Sequence, residues 1–347
     1  MPKLPALDIR FNVNHSPHVV ILGAGASVAA CPRGDVNGLR LPLMANLVSV
    51  LGLEPLLSKA GIEQSGAGNF ELIYERIASD GAFRDLRIEV DAIVRGYFGS
   101  LRLPEEVTVY DQLLLSLRPK DLVATFNWDP FLLQAYARNQ HLGLPQIVFL
   151  HGSVNLGYCP QHRRKGYLTQ NCETCSRPFE PSPILFPISK KEYRTHPLLA
   201  SEWDELTTTL RHAYLLTIFG YAAPSSDAAA REIFIQAWDG NETRELAQIE
   251  VVDILPGRFL YERWSDLIVS HHWAPFKRFG HVWQFNHPRR SCETFAFATL
   301  QQDPWASTPI PHFRRLDRLQ EWVRPFLKEE EALELEKIPL PPIRSAR

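Results

Sequence analysis

The hydrophobic positions of the chain are grouped in short apolar runs that end at glycines or polar residues. Residues 18–23 form a β-branched run that stops at glycine, and small residues that can begin a helix follow it. Runs of this length and composition predict buried strands. Further strands are predicted at residues 121–126, 147–150, 214–219 and 249–253.

A helical pattern follows several of these predicted strands, as at residues 130–137 and 227–238. Repetition of strand, polar turn and helix is typical of the α/β class with a Rossmann-like, doubly wound parallel sheet. Ligands of such sheets bind beyond the carboxyl ends of the strands. The polar motifs of this chain lie at those ends, so they are the first candidates for a functional site.

Two regions depart from this pattern. Residues from about 35 to 118 show helical periodicity, which predicts a helical insertion. Residues 316–327 alternate like an amphipathic helix, and we interpret the charged and proline-containing residues after them as a solvated helix end and a frayed terminus. The predicted apolar faces of the insertion are Phe70, Ile73, Tyr74 and Ile77 in one helix and Ile88, Ala92, Val94 and Phe98 in the next.

The overall composition indicates an ordinary globular protein. Its 347 residues allow one large or two unequal domains, and 45% apolar with 22% charged residues is usual for a folded domain. A formal net charge of −2 gives no indication of direct nucleic-acid binding. Residues 1–18 lack the apolar core of a secretory signal, and no apolar run is long enough for a membrane span. We therefore expect a cytoplasmic protein without membrane partners.

The cysteines do not form a disulfide framework. The chain has five, an odd and sparse count that suits a reducing compartment. Three of them belong to a Cys/His cluster, and the other two, Cys31 and Cys292, are interpreted as small buried hydrophobic residues.

Four potential metal ligands lie close together in a polar, proline-rich insertion. Cys159 and His162 form one pair with two residues between them, and Cys172 and Cys175 form a second pair after nine intervening residues. This spacing lets one knuckle turn direct both side chains of a pair at the same ion, and the four together complete a tetrahedral zinc set. Because a complete set leaves no open coordination position, the pattern predicts structural Zn²⁺ that stabilises the insertion.

The turn after the first predicted strand consists of the small residues Gly23, Ala24, Gly25, Ala26 and Ser27. With so few side-chain atoms, the backbone N–H groups of the turn can approach a diphosphate closely. The spacing is not Gly-x-Gly-x-x-Gly, because position 28 is Val, and it lacks the Lys-Ser/Thr ending of a P-loop. Packing of a small-residue turn against a helix is the alternative interpretation.

Polar residues follow the second and third predicted strands. Asn127 offers both a donor and an acceptor, so it can hold a ribose hydroxyl or a water, and Asp129 can orient an amide or hydroxyl. Asp129 before Pro130 also fits a helix cap, which leaves Asn127 without an explanation. His151 titrates near neutral pH and can take a proton from a ribose hydroxyl, which makes it a candidate general base.

Two later strand ends supply further polar residues. Gly220, Ser225 and Asp227 lie in the turn after residues 214–219, where they either cap the following helix or bind ribose or phosphate. Asp253 ends the last predicted strand and could face an adenosine ribose.

In this order, the motifs resemble the sirtuin-like superfamily over residues 19–253. The matching segments are the Gly-Ala-Gly-x-Ser turn, Thr-x-Asn-x-Asp at residues 125–129, His151 with Gly152, the Cys/His cluster and the late glycine-containing strand end. The resemblance implies a Rossmann-like NAD-binding domain with a small zinc module. It implies cleavage of the nicotinamide–ribose bond, with Asn127 holding ribose and water and His151 as base. It places the turn residues 23–27, Thr125, Asp129, Gly220, Ser225, Asp227 and Asp253 in the NAD site.

The chain departs from the protein deacylases of this family. Residues 28–40 contain no Gly-Ile-Pro-Asp-Phe-Arg segment, and residues 185–188 read Leu-Phe-Pro-Ile where deacylases have a Phe-Gly-Glu segment that pairs with the acyl-lysine peptide. Proline lacks the N–H that such pairing can use. The long helical insertion and the Gly-Tyr-x-x-Pro-x-x-Asp ending are similar to the divergent bacterial branch, several members of which degrade NAD in antiphage defence.

The resemblance therefore implies an NAD glycohydrolase that releases nicotinamide and ADP-ribose, as a bacterial antiphage effector restrained by homo-oligomerisation or by a gating partner protein. An NAD-dependent protein-lysine deacylase and a non-catalytic NAD or ADP-ribose sensor are the alternatives. We expect the NAD-binding domain at residues 1–150 and 188–290, the zinc-binding insertion at residues 151–187, and a C-terminal helical segment and tail at residues 291–347.

Overall fold

A six-stranded parallel sheet forms the centre of the computed structural model, which describes residues 15–62, 68–188 and 191–336. The strands of these ranges are β1 His18–Leu22, β2 Leu122–Thr125, β3 Gln146–Phe149, β4 Leu156–Cys159, β5 Arg164–Tyr167, β6 Glu180–Pro181, β7 Leu215–Phe219, β8 Gln248–Val252 and β9 Trp273–Phe276. The large sheet has the order β3-β2-β1-β7-β8-β9, and every neighbouring pair is parallel. The predicted α/β class with a Rossmann-like sheet is confirmed.

Helices cover both faces of this sheet. They are α1 Ala24–Ala30, α2 Leu47–Val50, α3 Glu54–Lys59, α4 Phe70–Ser79, α5 Arg84–Ser100, α6 Val109–Leu115, α7 Phe131–Asn139, α8 Pro197–Leu210, α9 Ala228–Asp239, α10 Gly257–Trp264, α11 Trp283–Asn286, α12 Ser291–Leu300 and α13 Leu316–Glu336. Among the described helices, none combines the length and the apolar character that crossing a membrane requires.

The central strand β1 separates two hydrophobic clusters. Its five residues are all buried, with Val20 and Leu22 in one cluster and Val19 and Ile21 in the other. β1 lies between β2 and β7, so the strand order reverses beside it. In open α/β sheets this reversal opens a crevice at the carboxyl ends of the strands, where ligands bind.

All five predicted strands are present as β1, β2, β3, β7 and β8, and each end lies within one residue of its predicted position. The sixth strand, β9, was not predicted. It contains Pro275 and its residues are all at least partly exposed, as an edge strand allows. A run with this composition carries no signal of a buried strand.

The predicted apolar faces of the helical insertion are right for α4 and partly wrong for α5. Phe70, Ile73, Tyr74 and Ile77 of α4 are all buried. On α5 the buried residues are Val90, Val94 and Phe98, whereas Ile88 is 57% exposed. The buried positions are four residues apart, so Ile88 and Ala92 lie on the opposite, outer face.

The C-terminal helix is longer than predicted, because α13 continues through the charged residues to Glu336. The buried side chain of Arg289 donates two hydrogen bonds of 2.7 Å to the carboxylate of Glu330. The interpretation of these charges as a solvated helix end is therefore wrong for Glu330. The predicted tail at residues 337–347 and the first residues, 1–14, lie outside the described ranges.

Candidate functional site

Two glycine turns contact each other at the carboxyl ends of β1 and β7. Gly23 and Gly25 donate their N–H groups to the carbonyls of Phe219 and Gly220, each at 3.0 Å. A Cβ on Gly23 would lie 2.5 Å from the Gly220 oxygen, and one on Gly220, at φ 62°, would lie 2.3 Å from the Ala26 nitrogen. The packing of the two turns thus accounts for these glycines, and the Gly25 N–H is already bonded within the protein.

A buried polar network joins the first turn to the residues after β2. The side-chain NH₂ of Asn127 donates to the Gly23 carbonyl and to Ser27 Oγ, both at 2.9 Å. Ser27 Oγ donates to Asp129 Oδ2 at 2.7 Å and lies 2.6 Å from the Tyr110 hydroxyl. Because the single Ser27 hydroxyl proton is directed at Asp129, Tyr110 is the donor in the last contact.

The network fixes which side of the Asn127 amide faces outward. Its NH₂ group is bonded to Gly23 and Ser27, and its backbone N–H donates to Thr125 Oγ1 at 3.0 Å. No described group donates to Asn127 Oδ1, and the residue is 8% exposed. The site therefore offers an acceptor oxygen at this position.

Asp129 serves the network and the following helix at once. Its Oδ1 accepts a hydrogen bond of 3.1 Å from the Phe131 N–H, so it also caps α7. Burial raises the pKa of Asp129 to about 6, although the bonds from Ser27 and Phe131 oppose the shift. Burial likewise raises the pKa of Tyr110 well above its usual range, so this hydroxyl stays a donor.

His151 is buried two residues after β3, at the next strand end of the sheet. Its ring makes an edge contact with Phe126 at 4.8 Å between centroids, and Phe126 stacks on Tyr221 at 4.0 Å. Burial lowers the pKa of His151 to about 4, so the imidazole is neutral at pH 7. Gly152, at φ 73°, is required because a Cβ there would lie 1.8 Å from the Pro183 carbonyl oxygen.

The carboxylate of Asp227 faces His151, since Oδ1 lies 3.5 Å from His151 Nε2. Oδ1 also accepts from Lys191 Nζ, and Oδ2 accepts from the Tyr221 hydroxyl at 3.1 Å. All four residues are buried. Asp227, for which the sequence favoured a ribose or phosphate role, is thus bonded to protein groups on both oxygens.

The structure brings most predicted site residues together and leaves two apart. The turn residues 23–27, Thr125, Asn127, Asp129 and Gly220 form one connected group, and His151 with Asp227 adjoins it through Phe126 and Tyr221. Ser225 is exposed and only begins a short 3-10 turn. Asp253 accepts from the Leu255 N–H at 2.9 Å, which is a local turn contact.

The predicted zinc ligands converge on one point. His162 Nδ1 lies 3.6 Å from Cys159 Sγ and 3.7 Å from Cys172 Sγ, and the sulfurs of Cys159 and Cys175 are 3.8 Å apart. All four ligand atoms lie within 4.8 Å of one another. Metal–ligand bonds of about 2.0–2.3 Å at tetrahedral angles would separate ligand atoms by roughly 3.5–3.8 Å, so this set can hold a zinc ion.

The metal ligands have little apolar packing of their own. Their module contains a second, three-stranded sheet in the order β5-β4-β6, and the cluster at the ligands consists of Cys159, Cys172 and Phe179. Leu156 and Tyr158 of β4 pack instead in the first cluster on the large sheet. Gly157 and Gly166 leave room for Phe179, because a Cβ on either would lie within 2.6 Å of that side chain. A small cluster of this kind fits a structural role for a metal ion held by the four ligands.

Two residues of the site were missed by sequence reasoning. Tyr110 lies in an apolar helical stretch, where a tyrosine looks like a core residue, and Lys191 lies in a charged run typical of a surface. Neither position has a local motif. Only the three-dimensional packing places Tyr110 on Ser27 and Lys191 on Asp227.

No protein-family model and no curated protein matches the chain. Solved structures do. The chain is similar to Sir2 in complex with p53 peptide and NAD⁺, with 15% identity, a TM-score of 0.34 and coverage of 82% of this chain and 93% of that one. It is also similar to Sir2Tm bound to a propionylated peptide, with 14% identity, a TM-score of 0.32 and coverage of 76% and 87%. Likenesses of this size say nothing about activity, so the chemistry depends on the residues of the site itself.

Proposed function

We propose that the protein is an NAD glycohydrolase, which hydrolyses NAD⁺ with one water molecule to nicotinamide, ADP-ribose and a proton. The observation that carries this proposal is the Asn127 amide, whose NH₂ group is held by Gly23 and Ser27 so that its acceptor oxygen has no donor among the described residues, while the ring of the adjacent Phe126 contacts the buried His151. The resemblance of both motifs to the sirtuin pattern supplies the substrate class.

The reaction breaks the bond between the nicotinamide nitrogen and the anomeric carbon of ribose. Nicotinamide leaves with the bonding electron pair, and the ribose passes through an oxocarbenium-like state that water attacks. Asn127 Oδ1 would accept a hydrogen bond from that water and so position it, and His151 would take a proton from the water or a ribose hydroxyl. The pre-oriented dipoles of a dry site stabilise the developing charge without a covalent nucleophile.

The surroundings of residues 185–188 support hydrolysis over deacylation. Phe186 is buried, stacks on Tyr74 of α4 at 4.7 Å between centroids and lies 5.1 Å from the Trp128 ring. The Leu185 N–H donates to the His151 carbonyl at 3.0 Å. A segment packed under the helical insertion in this way has little freedom to pair with an acyl-lysine peptide, which would need backbone groups of its own.

The test is NAD turnover by purified, zinc-replete protein, with nicotinamide and ADP-ribose separated by chromatography, with and without an acetyl-lysine peptide. We expect release that needs no peptide and is lost in Asn127→Ala and His151→Ala. The matched controls Asn171→Ala and His141→Ala, at exposed positions, should keep it. Release only with peptide would indicate a deacylase, and tight NAD binding without products would indicate a sensor.

An enzyme that destroys the NAD of its own cell must be restrained, so we further propose that self-association or a partner protein gates it. The resemblance to the divergent bacterial branch is what supports a role as an antiphage effector. Turnover measured against protein concentration, with the mass of the active species read by light scattering, tests the first form of gating. Constant specific activity of a monomer would refute it.

A further inference from the structure

A buried ion pair lies directly behind the candidate base. The ammonium of Lys191 bonds Oδ1 of Asp227, the same oxygen that faces His151 Nε2 at 3.5 Å. The side chains of Lys191 and Asp227 are 2% and 6% exposed. Lys191 Nζ also donates to the Ser226 carbonyl at 2.9 Å, so the amine is held in one place.

The two nitrogens of the His151 ring have different surroundings. Among the described residues neither nitrogen makes a hydrogen bond of normal geometry. Nε2 is fully buried with Asp227 Oδ1 3.5 Å away, whereas Nδ1 is not fully buried. A carboxylate oxygen beside Nε2 favours the tautomer that carries the ring proton there. The unprotonated Nδ1 is then the nitrogen that remains available to a ligand.

Other groups close the environment of the pair. The Tyr221 hydroxyl donates to Asp227, the Tyr193 ring lies parallel to His151 at 6.0 Å between centroids, and Glu71 of α4 accepts from Ser226 Oγ at 3.2 Å. Of these, Glu71 is the further carboxylate that faces the cluster, from the helical insertion. Lys191 therefore opposes an acidic environment made by Asp227 and Glu71.

We infer that Lys191 and Asp227 are a positioning pair for His151, in which Asp227 holds the ring proton on Nε2 and Lys191 balances the carboxylate so that the imidazole stays neutral with Nδ1 as its basic nitrogen. The inference rests on the proposed function for its purpose, because a neutral base is what the hydrolysis needs. It gives Asp227 a role on the histidine in place of a contact with the cofactor.

The experiment is an NMR titration of protein labelled with ¹⁵N-histidine, in which the His151 signals are assigned by their loss in His151→Gln. The chemical shifts of the two ring nitrogens report the tautomer, and their change with pH reports the pKa. We expect the Nε2–H tautomer in the wild type. Lys191→Met leaves Asp227 unbalanced beside the ring, so the pKa of His151 should rise by about one unit or more.

Three further variants complete the test. Asp227→Asn should lower the pKa of His151, and the double variant Lys191→Met/Asp227→Asn should return it to near the wild-type value because both charges are gone. Lys120→Met, which removes a lysine paired with Glu293 at the opposite end of β2, should leave the titration unchanged. If Lys191→Met alone fails to fold, the wild-type tautomer and the shift in Asp227→Asn still decide the question.

An Nδ1–H tautomer in the wild type, or an unshifted His151 in folded Lys191→Met, would overturn the inference. Both measurements are made without NAD, so they are independent of the proposed activity. If the wild-type protein shows the expected tautomer but does not cleave NAD, the proposed hydrolase activity is refuted. The inference that Lys191 and Asp227 position His151 then still holds. In an active enzyme, Lys191→Met should raise the pH at which kcat falls on the acid side by the same amount as the His151 pKa, with KM for NAD nearly unchanged, because the protonated ring cannot act as a base.

Discussion

Gly25 donates its backbone N–H to the carbonyl of Gly220, and this 3.0 Å bond joins the turn after β1 to the turn after β7. The two turns come from strands that are adjacent in the sheet but about two hundred residues apart in sequence. Their contact brings Asn127, which is bonded to Gly23, to the same point as Tyr221 and the His151 cluster. The glycine turn after β1 therefore joins the two halves of the site, and it is also a candidate ligand contact.

Gly220→Ala tests this junction. Gly220 has φ 62°, and an added Cβ would lie 2.3 Å from the Ala26 nitrogen, so the substitution combines strain with a backbone clash. We expect a loss of roughly 2–4 kcal/mol in the free energy of unfolding. Gly52 has φ 65° with nothing within 4 Å of the added Cβ, so Gly52→Ala carries the strain alone and should cost about 1 kcal/mol. Equal losses in denaturant unfolding would mean that the contact between the turns adds nothing.

Tyr110→Phe tests the network around Asn127. The substitution removes the hydroxyl that donates to Ser27 Oγ and leaves the ring in place. Stability should fall by about 1 kcal/mol, and NAD cleavage should fall about tenfold, because Ser27 can then turn away from Asn127. Tyr97→Phe, which removes a hydroxyl bonded to the Arg40 carbonyl on the exposed side of α5, should change neither by a comparable amount. Full turnover in Tyr110→Phe would show that Asn127 does not depend on this contact.

The sheet and much of the site could be predicted because their signals are local. Buried parallel strands are continuous apolar runs, so β1, β2, β3, β7 and β8 were found, and the carboxyl ends of such strands necessarily meet. The small-residue turn, Asn127 and His151 each follow such a run directly. The convergence of the four metal ligands on one point follows from their spacing, which was also readable in the sequence.

The rest depended on contacts between distant segments. Tyr110 and Lys191 reach the site from positions whose neighbours in sequence resemble core and surface residues respectively. Edge strand β9 is only four residues long and contains Pro275, and a proline within a short run argues against a strand prediction. Arg289 and Glu330 bind each other across 41 positions of sequence, and nothing in the charged run predicted such a partner.

Glu250 predicts a pH dependence of stability. Its carboxyl is buried, accepts from the Trp283 N–H at 2.8 Å and from Thr217 at 3.2 Å, and has a pKa that burial raises to about 7 from an ordinary 4.5. Between these values the folded state binds more protons than the unfolded state. The contribution of Glu250 to stability is therefore present below about pH 4.5 and is lost as pH rises to about 7.

Glu250→Gln should remove this dependence. The free energy of unfolding of Glu250→Gln should increase relative to that of the wild type as pH rises across that window, by about 1.4 kcal/mol for each pKa unit of the shift, because only the wild type loses stability there. His18, whose pKa burial lowers to about 4, has the opposite sign between pH 4 and 6.5, so only the difference between the two proteins isolates Glu250. A difference that stays constant from pH 4.5 to 7.5 in denaturant unfolding would contradict the assignment.

Removal of the metal should unfold the small module first, while the large sheet stays folded. The cluster at the ligands has three buried residues, whereas the two clusters on the sheet are extensive, so the part of the module around the ligands depends most on a bound ion for its packing. We expect one equivalent of zinc by elemental analysis in the wild type and a strong loss of it in Cys172→Ser. Cys31→Ala, at a buried cysteine outside the cluster, should retain full zinc.

Chelation should expose amide protons of residues 156–181 to hydrogen exchange while β1 and β7 stay protected. Exchange that rises equally in both regions would show that the module and the sheet unfold as one unit.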